Sequence, residues 1–188
     1  MKPDKETTLP RIAPLTQPYP EALAPALNAL TPEGGEAPML FRIIGTSERA
    51  WKKFADGSLI DKGPLPMRER ELVIFRTAAR IGADYEWGMH VRLFAEQCDI
   101  GEQELEALAK KDAESGNWSQ AEAALIATVD ILIDRRHLDD EEFARISAHF
   151  SSDQLLEIVQ LVGFYQGLAL IIGTFDIPRE PGTPPIPA

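Results

Sequence analysis

LPMRERELVIFRTAARIGADYEWGMHVRLFAEQCDI, residues Leu65 to Ile100, is the stretch that decides the fold. From Pro66 to Ile81 the apolar residues recur at helical spacing, with Leu72, Phe75 and Ala79 on one face. Pro66 suits a first helical turn, where its missing N–H has no partner to lose, and Gly82 ends the helix. Asp84 then caps a second helix, YEWGMHVRLFAEQ, which stops near Cys98 and Gly101. The segment therefore reads as two helices packed back to back.

The same periodicity extends outward. A helix is expected from about Pro38 to Phe54, followed by DGSLIDKGPLP as a loop rich in glycine and proline. Ser119 with Glu122, and Ser151 with Gln154, have the spacing of capping boxes at the starts of two later helices. The second of these is long and apolar, but Glu157, Gln160, Tyr165 and Gln166 interrupt it, which favours a buried or subunit-interface helix over a membrane span. Gly163 and Gly167 make a GxxxG step that permits close helix approach. Strand-type alternation is hard to find, so the fold class is all-α, with six to eight helices and no internal repeat. Prolines crowd both ends, and the expected organisation is an N-terminal arm over residues 1–37, a helical domain over 38–177 and a C-terminal tail over 178–188.

Composition narrows the partners. The 188 residues can bury one sizeable core, and a formal charge of −11 repels phosphate backbones and anionic lipid, so neither nucleic acid nor a membrane is an expected partner. Cys98 is the single cysteine, which excludes an internal disulfide and a CxxC pair. A cytoplasmic location is expected, since the N-terminus is broken by prolines and lacks the apolar run of a signal peptide.

Glu86 and His90, four residues apart on one helix, can bring carboxylate and imidazole together. A carboxylate hydrogen-bonded to imidazole fixes its tautomer and raises its basicity, as acid/base chemistry near neutral pH requires. On spacing alone an ordinary surface pair is the commoner outcome. Tyr85, Trp87, Met89, Leu93 and Phe94 surround the pair, however, and partial burial would perturb both groups. Tyr85 and Trp87 suit either an apolar, cyclic ligand or core packing. Arg76 and Arg92 are candidates to receive a substrate carboxylate. Cys98 reads as an inert small hydrophobe, His137 and His149 as surface positions, and the DDEE run from Asp139 as a helix N-terminus. Without HExxH or paired ExxH steps, no metal is expected at Glu71, Glu86 and His90.

Glu71, the YEW step at 85–87 and His90 resemble the carboxymuconolactone decarboxylases and their AhpD-like alkylhydroperoxidase relatives. FSSDQLLEIVQLVGFYQGLALIIGTF, residues 150–175, is similar to the family's final helix. The resemblance implies packed helical hairpins assembled into homo-oligomers, trimers or hexamers, with no cofactor and with a small-molecule substrate. The peroxidase branch's two cysteines fall here on Ala83 and Glu86, so the decarboxylase branch is the better match. It implies a lyase of aromatic-compound catabolism acting on a small cyclic carboxylate or lactone. His90 would be its acid/base, Glu86 would orient His90, and Glu71 would extend the relay. The rival readings are a redox protein using Cys98 alone and a non-catalytic oligomeric binding protein.

Overall fold

The computed structural model describes residues 9–59, 61–110 and 116–188. Those residues form nine α-helices and no strand, in agreement with the all-α reading. In chain order they are α1 (Ala24–Ala29), α2 (Met39–Ile44), α3 (Glu48–Gly57), α4 (Met67–Ile81), α5 (Asp84–His90), α6 (Glu102–Ala109), α7 (Gln120–Arg135), α8 (Asp140–Ser147) and α9 (Ser152–Thr174). The chain divides into two compact units. The smaller holds the sequence up to Ser58 with Leu170–Glu180, and the larger holds Leu59–Ala169 with Pro181–Ala188.

In the smaller unit, the proline-rich segment expected to be an extended arm contains a helix. Pro25 sits in the first turn of α1, where proline is tolerated, and Tyr19, Leu23, Leu27 and Ala37 form a buried cluster. The Tyr19 hydroxyl accepts from the Ala37 amide at 3.0 Å, and Arg42 donates to the carbonyls of Ala37 and Leu15. The helix expected from Pro38 to Phe54 is instead two, because α2 stops at Gly45 and Ser47 caps α3 through the Ala50 amide.

The larger unit is organised around α4. Residues 70–78 are buried without interruption, so α4 is enclosed all round rather than along one stripe; α5, α6 and α7 pack against it. Leu72, Val73, Ile74 and Phe75 have no exposed surface, and each contributes roughly 1.5–3 kcal/mol by its burial. Gly82 closes α4 in the left-handed conformation, φ 70°, and turns the chain directly into α5. The two capping boxes read from the sequence form as expected, Ser119 with Glu122 opening α7 and Ser151 with Gln154 opening α9. Asp139 and Glu142 cap α8 in the same way, which accounts for the acidic run there.

α9 is long and apolar enough to cross a membrane by length and composition, and its Ile158, Leu161, Val162, Tyr165 and Leu168 are buried. The end of the chain behaves as a strap. The Ile186 amide donates to Asp84 Oδ1 at 2.9 Å, Thr183 is buried, and a Cβ on Gly88 would lie 2.6 Å from the Pro184 carbonyl oxygen. Residues 84 and 88 lie on the side of α5 opposite Glu86 and His90, so the strap supports the helix from behind. Gly88→Ala is expected to lift the strap, giving residues 181–186 faster hydrogen exchange and a thermal midpoint close to that of a chain ending at Glu180. An alanine variant with an unchanged exchange pattern would refute this close packing.

Candidate functional site

His90 is the last residue of α5, and the chain continues into a π turn, Val91–Ala95, and a 3-10 turn, Glu96–Cys98. A π turn inserts an extra residue into the helical repeat, a distortion common at functional sites. Here Phe94 comes to lie with its ring 5.2 Å from the His90 ring and tilted 40° to it. Phe75 approaches the imidazole edge-on from α4 and Tyr165 does so from α9. The histidine is thus packed among three aromatic rings and is buried.

Both imidazole nitrogens are engaged. Nδ1 lies 2.7 Å from Glu71 Oε2, and Nε2 lies 2.9 Å from the Tyr165 hydroxyl. Burial pushes the Tyr165 phenol far above its ordinary range, with the Glu71 and Glu86 carboxylates adding to the shift, so the phenol keeps its hydrogen. It then donates to Nε2, which leaves the ring hydrogen on Nδ1, donated to Glu71. Glu71 is fully buried, and its other oxygen accepts from Arg70 Nε at 3.0 Å and Nη2 at 2.9 Å. Arg70 also lies over the Phe94 ring, 5.6 Å from its centre. The result is one continuous chain from Arg70 through Glu71 and His90 to Tyr165.

The pairing expected from sequence is corrected in one respect. The carboxylate on His90 is Glu71, from the neighbouring helix, and not Glu86, four residues earlier. Glu86 is 3% exposed, and neither of its carboxyl oxygens has a hydrogen-bond partner among the described residues. Burial pushes its carboxyl up to about 7, with a smaller opposing pull from its own backbone amide. The carboxylate that holds the imidazole is the one already paired with Arg70, on the neighbouring helix. When ionised, Glu86 adds to the upward shift of the Tyr165 phenol, after burial and Glu71.

Neither candidate carboxylate receptor is disposed as expected. Arg76 is fully buried and forks onto Asp130 at 2.6 and 2.7 Å, while also donating to the Leu108 and Lys110 carbonyls. It joins α4 to α7 and to the end of α6, a structural position. Arg92 is exposed and reaches the Pro181 carbonyl of the strap at 3.3 Å and the Met89 sulfur at 3.2 Å. Trp87 is a core residue, 1% exposed with its ring 5.3 Å from Phe75, and Tyr85 is likewise buried. Cys98 is buried, and its thiol is pushed upward by burial and by the Glu71 charge. His137 and His149 are exposed. Among the described residues no group of three His, Cys, Asp or Glu side chains is arranged to hold a metal ion.

Tyr165 is the member of the site that sequence reading placed only as a polar interruption of α9. Its signal was a hydroxyl at a position in register with Ile158, Leu161 and Leu168, all of which face the core. Arg70 was hidden in the charged run RERE.

Residues 46–130 match the model of the carboxymuconolactone decarboxylase family, in agreement with the resemblance read from the sequence. No curated protein matches the chain. Among solved structures, an AhpD-core, peroxidase-related protein from Ralstonia eutropha JMP134 superposes with a TM-score of 0.78 at 13% identity, covering 94% of this chain and 95% of that one. A peroxidase-related protein from Silicibacter sp. TM1040 gives 0.77 at 14% identity, over 97% and 96%. The debrominase Bmp8, in a complex with 2,3,4-tribromopyrrole, gives 0.73 at 18% identity, over 95% and 94%. At these identities the likeness is one of fold.

Proposed function

We propose that this chain, a carboxymuconolactone decarboxylase family protein of AhpD-like fold, is a cofactor-free acid/base enzyme acting on a small cyclic lactone or carboxylate. The observation that supports this reading is Glu86, a buried carboxyl whose two oxygens have no hydrogen-bond partner among the described residues. A carboxyl pushed up to about 7 can both give and take a proton near neutral pH, the condition for efficient general acid/base catalysis. The role first given to His90 therefore passes in part to Glu86. Glu86 exchanges a proton with substrate carbon. His90, bracketed by Glu71 and Tyr165, accepts or returns the phenolic hydrogen as charge develops. In a decarboxylation the bond to CO₂ breaks, its electron pair enters the conjugated ring carbonyl, and Glu86 delivers the proton to carbon.

Redox chemistry at Cys98 has the weaker support, because a buried thiol pushed upward holds little thiolate. The reading also carries a cytoplasmic location and self-association. Leu156, Val159, Gly163 and Gly167 are exposed along one side of α9, an apolar face whose two glycines suit close approach of a second copy.

The test is turnover of carboxymuconolactone, followed by ultraviolet absorbance and CO₂ release, alongside deuterium uptake from D₂O into unsaturated γ-lactones. Removing a general acid/base lowers rates by about 10²–10⁴-fold. Glu86→Gln is expected to lose that much in kcat, with Tyr165→Phe losing less and shifting the pH profile. Retention of full activity by Glu86→Gln would overturn the assignment.

A further inference from the structure

The last residues of the chain follow α5 along the side away from His90. The Ile186 amide donates to Asp84 Oδ1 at 2.9 Å, Thr183 and Pro184 lie against Gly88, and the Pro181 carbonyl accepts from Arg92 Nη1 at 3.3 Å. Residues 84, 88 and 92 are spaced one helical turn apart, so the strap runs antiparallel to α5 and meets it once in each turn. Gly182, left-handed at φ 76°, turns the chain onto this course, and Pro184, Pro185 and Pro187 favour the extended form before it docks. At Gly88 a Cβ would lie 2.6 Å from the Pro184 carbonyl oxygen and 2.8 Å from the Thr183 Cβ, so this fit requires glycine.

The structure assigns residues 181–186 a positioning role: laid along the back of α5, they fix the joint between that helix and the π turn, and with it the His90 imidazole between Glu71 and Tyr165. This deepens the acid/base reading above, on which its consequence for turnover rests. His90 ends α5 and Val91–Ala95 continue as the π turn, so the helical repeat changes immediately after the imidazole. Asp84 and Gly88 precede that change and Arg92 follows it, so the strap braces both sides of the joint. α5 has seven residues, well short of the ~12–15 at which an isolated helix becomes marginally stable in water. Its place is therefore set by packing rather than by its own hydrogen bonds. The partners of the imidazole come from other elements, Glu71 from α4 at 2.7 Å and Tyr165 from α9 at 2.9 Å. A displacement of α5 by about 1 Å would disturb both bonds at once, a scale of misplacement that can cost about 10²-fold in rate.

The test removes one strap hydrogen bond without altering α5. Ile186→Pro deletes the amide that Asp84 accepts, at a position already flanked by Pro185 and Pro187, whereas Ile186→Val keeps it. Both full-length variants are compared with the parent at a temperature where circular dichroism shows the helices intact. The readouts are hydrogen exchange of the Thr183 amide and proton NMR of the His90 Nδ1–H, which its bond to buried Glu71 protects from solvent. Loss of a hydrogen bond to a charged acceptor favours local opening about tenfold or more. Ile186→Pro is therefore expected to speed exchange of both protons by about that factor and to lower kcat about tenfold with little change in KM, while Ile186→Val matches the parent. A strap that only stabilised the fold would lower the thermal midpoint and leave the His90 proton unchanged. That result, or a Thr183 amide in Ile186→Pro that exchanges as in the parent, would overturn the inference. The His90 proton is read without substrate, so its response to Ile186→Pro in a protein that turns over no lactone would retire the acid/base reading and uphold the positioning role.

Discussion

Arg76→Ala is expected to lower the unfolding free energy by about 3–5 kcal/mol, the cost of breaking a buried ion pair by removing one partner. The guanidinium has no exposed surface, forks onto both oxygens of Asp130, and satisfies the carbonyls of Leu108 and Lys110. Alanine would strand all of these and leave a cavity where α4, α6 and α7 meet. Lysine would restore the charge without the fork, so Arg76→Lys should recover only part of the loss. Urea unfolding of the two variants beside Asp130→Asn checks the argument. An alanine variant of near-parental stability that had lost ligand affinity would return Arg76 to the substrate-binding role first considered for it.

Glu86→Gln is expected to flatten the pH dependence of stability by about 3 kcal/mol, the free energy equivalent of a carboxyl moved from 4.5 to about 7. Between those values the unfolded chain releases the Glu86 proton while the folded chain keeps it. Stability therefore falls as pH rises through that window and levels off above it. The amide variant lacks this loss, so its stability relative to the parent should be greater at pH 8 than at pH 5. Denaturant unfolding at several pH values reads the difference, and parallel profiles for the two proteins would contradict the burial of an unpartnered carboxyl at this position.

The fold was legible where local chemistry announces itself. Gly82, the Ser119 and Ser151 capping boxes and the helical spacing of residues 66–81 each specify a boundary or a face through interactions within a few residues. The N-terminal prolines misled because Pro25 occupies a first turn, where it does no harm, and because the burial of Tyr19, Leu23 and Leu27 depends on their tertiary setting.

The site was half legible for the same reason. Glu71, Glu86 and His90 were singled out, yet their pairing was assigned by spacing along one helix. The imidazole instead crosses to α4, and its second nitrogen is held from α9, seventy-five residues away in sequence. Neither the π turn after His90 nor the desolvation of Glu86 leaves a local trace, since both follow from how α4, α5 and α9 close around them.

The most direct measurement is a carbon-13 NMR titration of the Glu86 side-chain carboxyl, assigned by its absence in Glu86→Gln. A midpoint near 7 is predicted, as the desolvated, unpartnered acid requires. A midpoint at the ordinary 4.5 of a solvated glutamate would contradict the account, because the group could then not supply a proton at neutral pH.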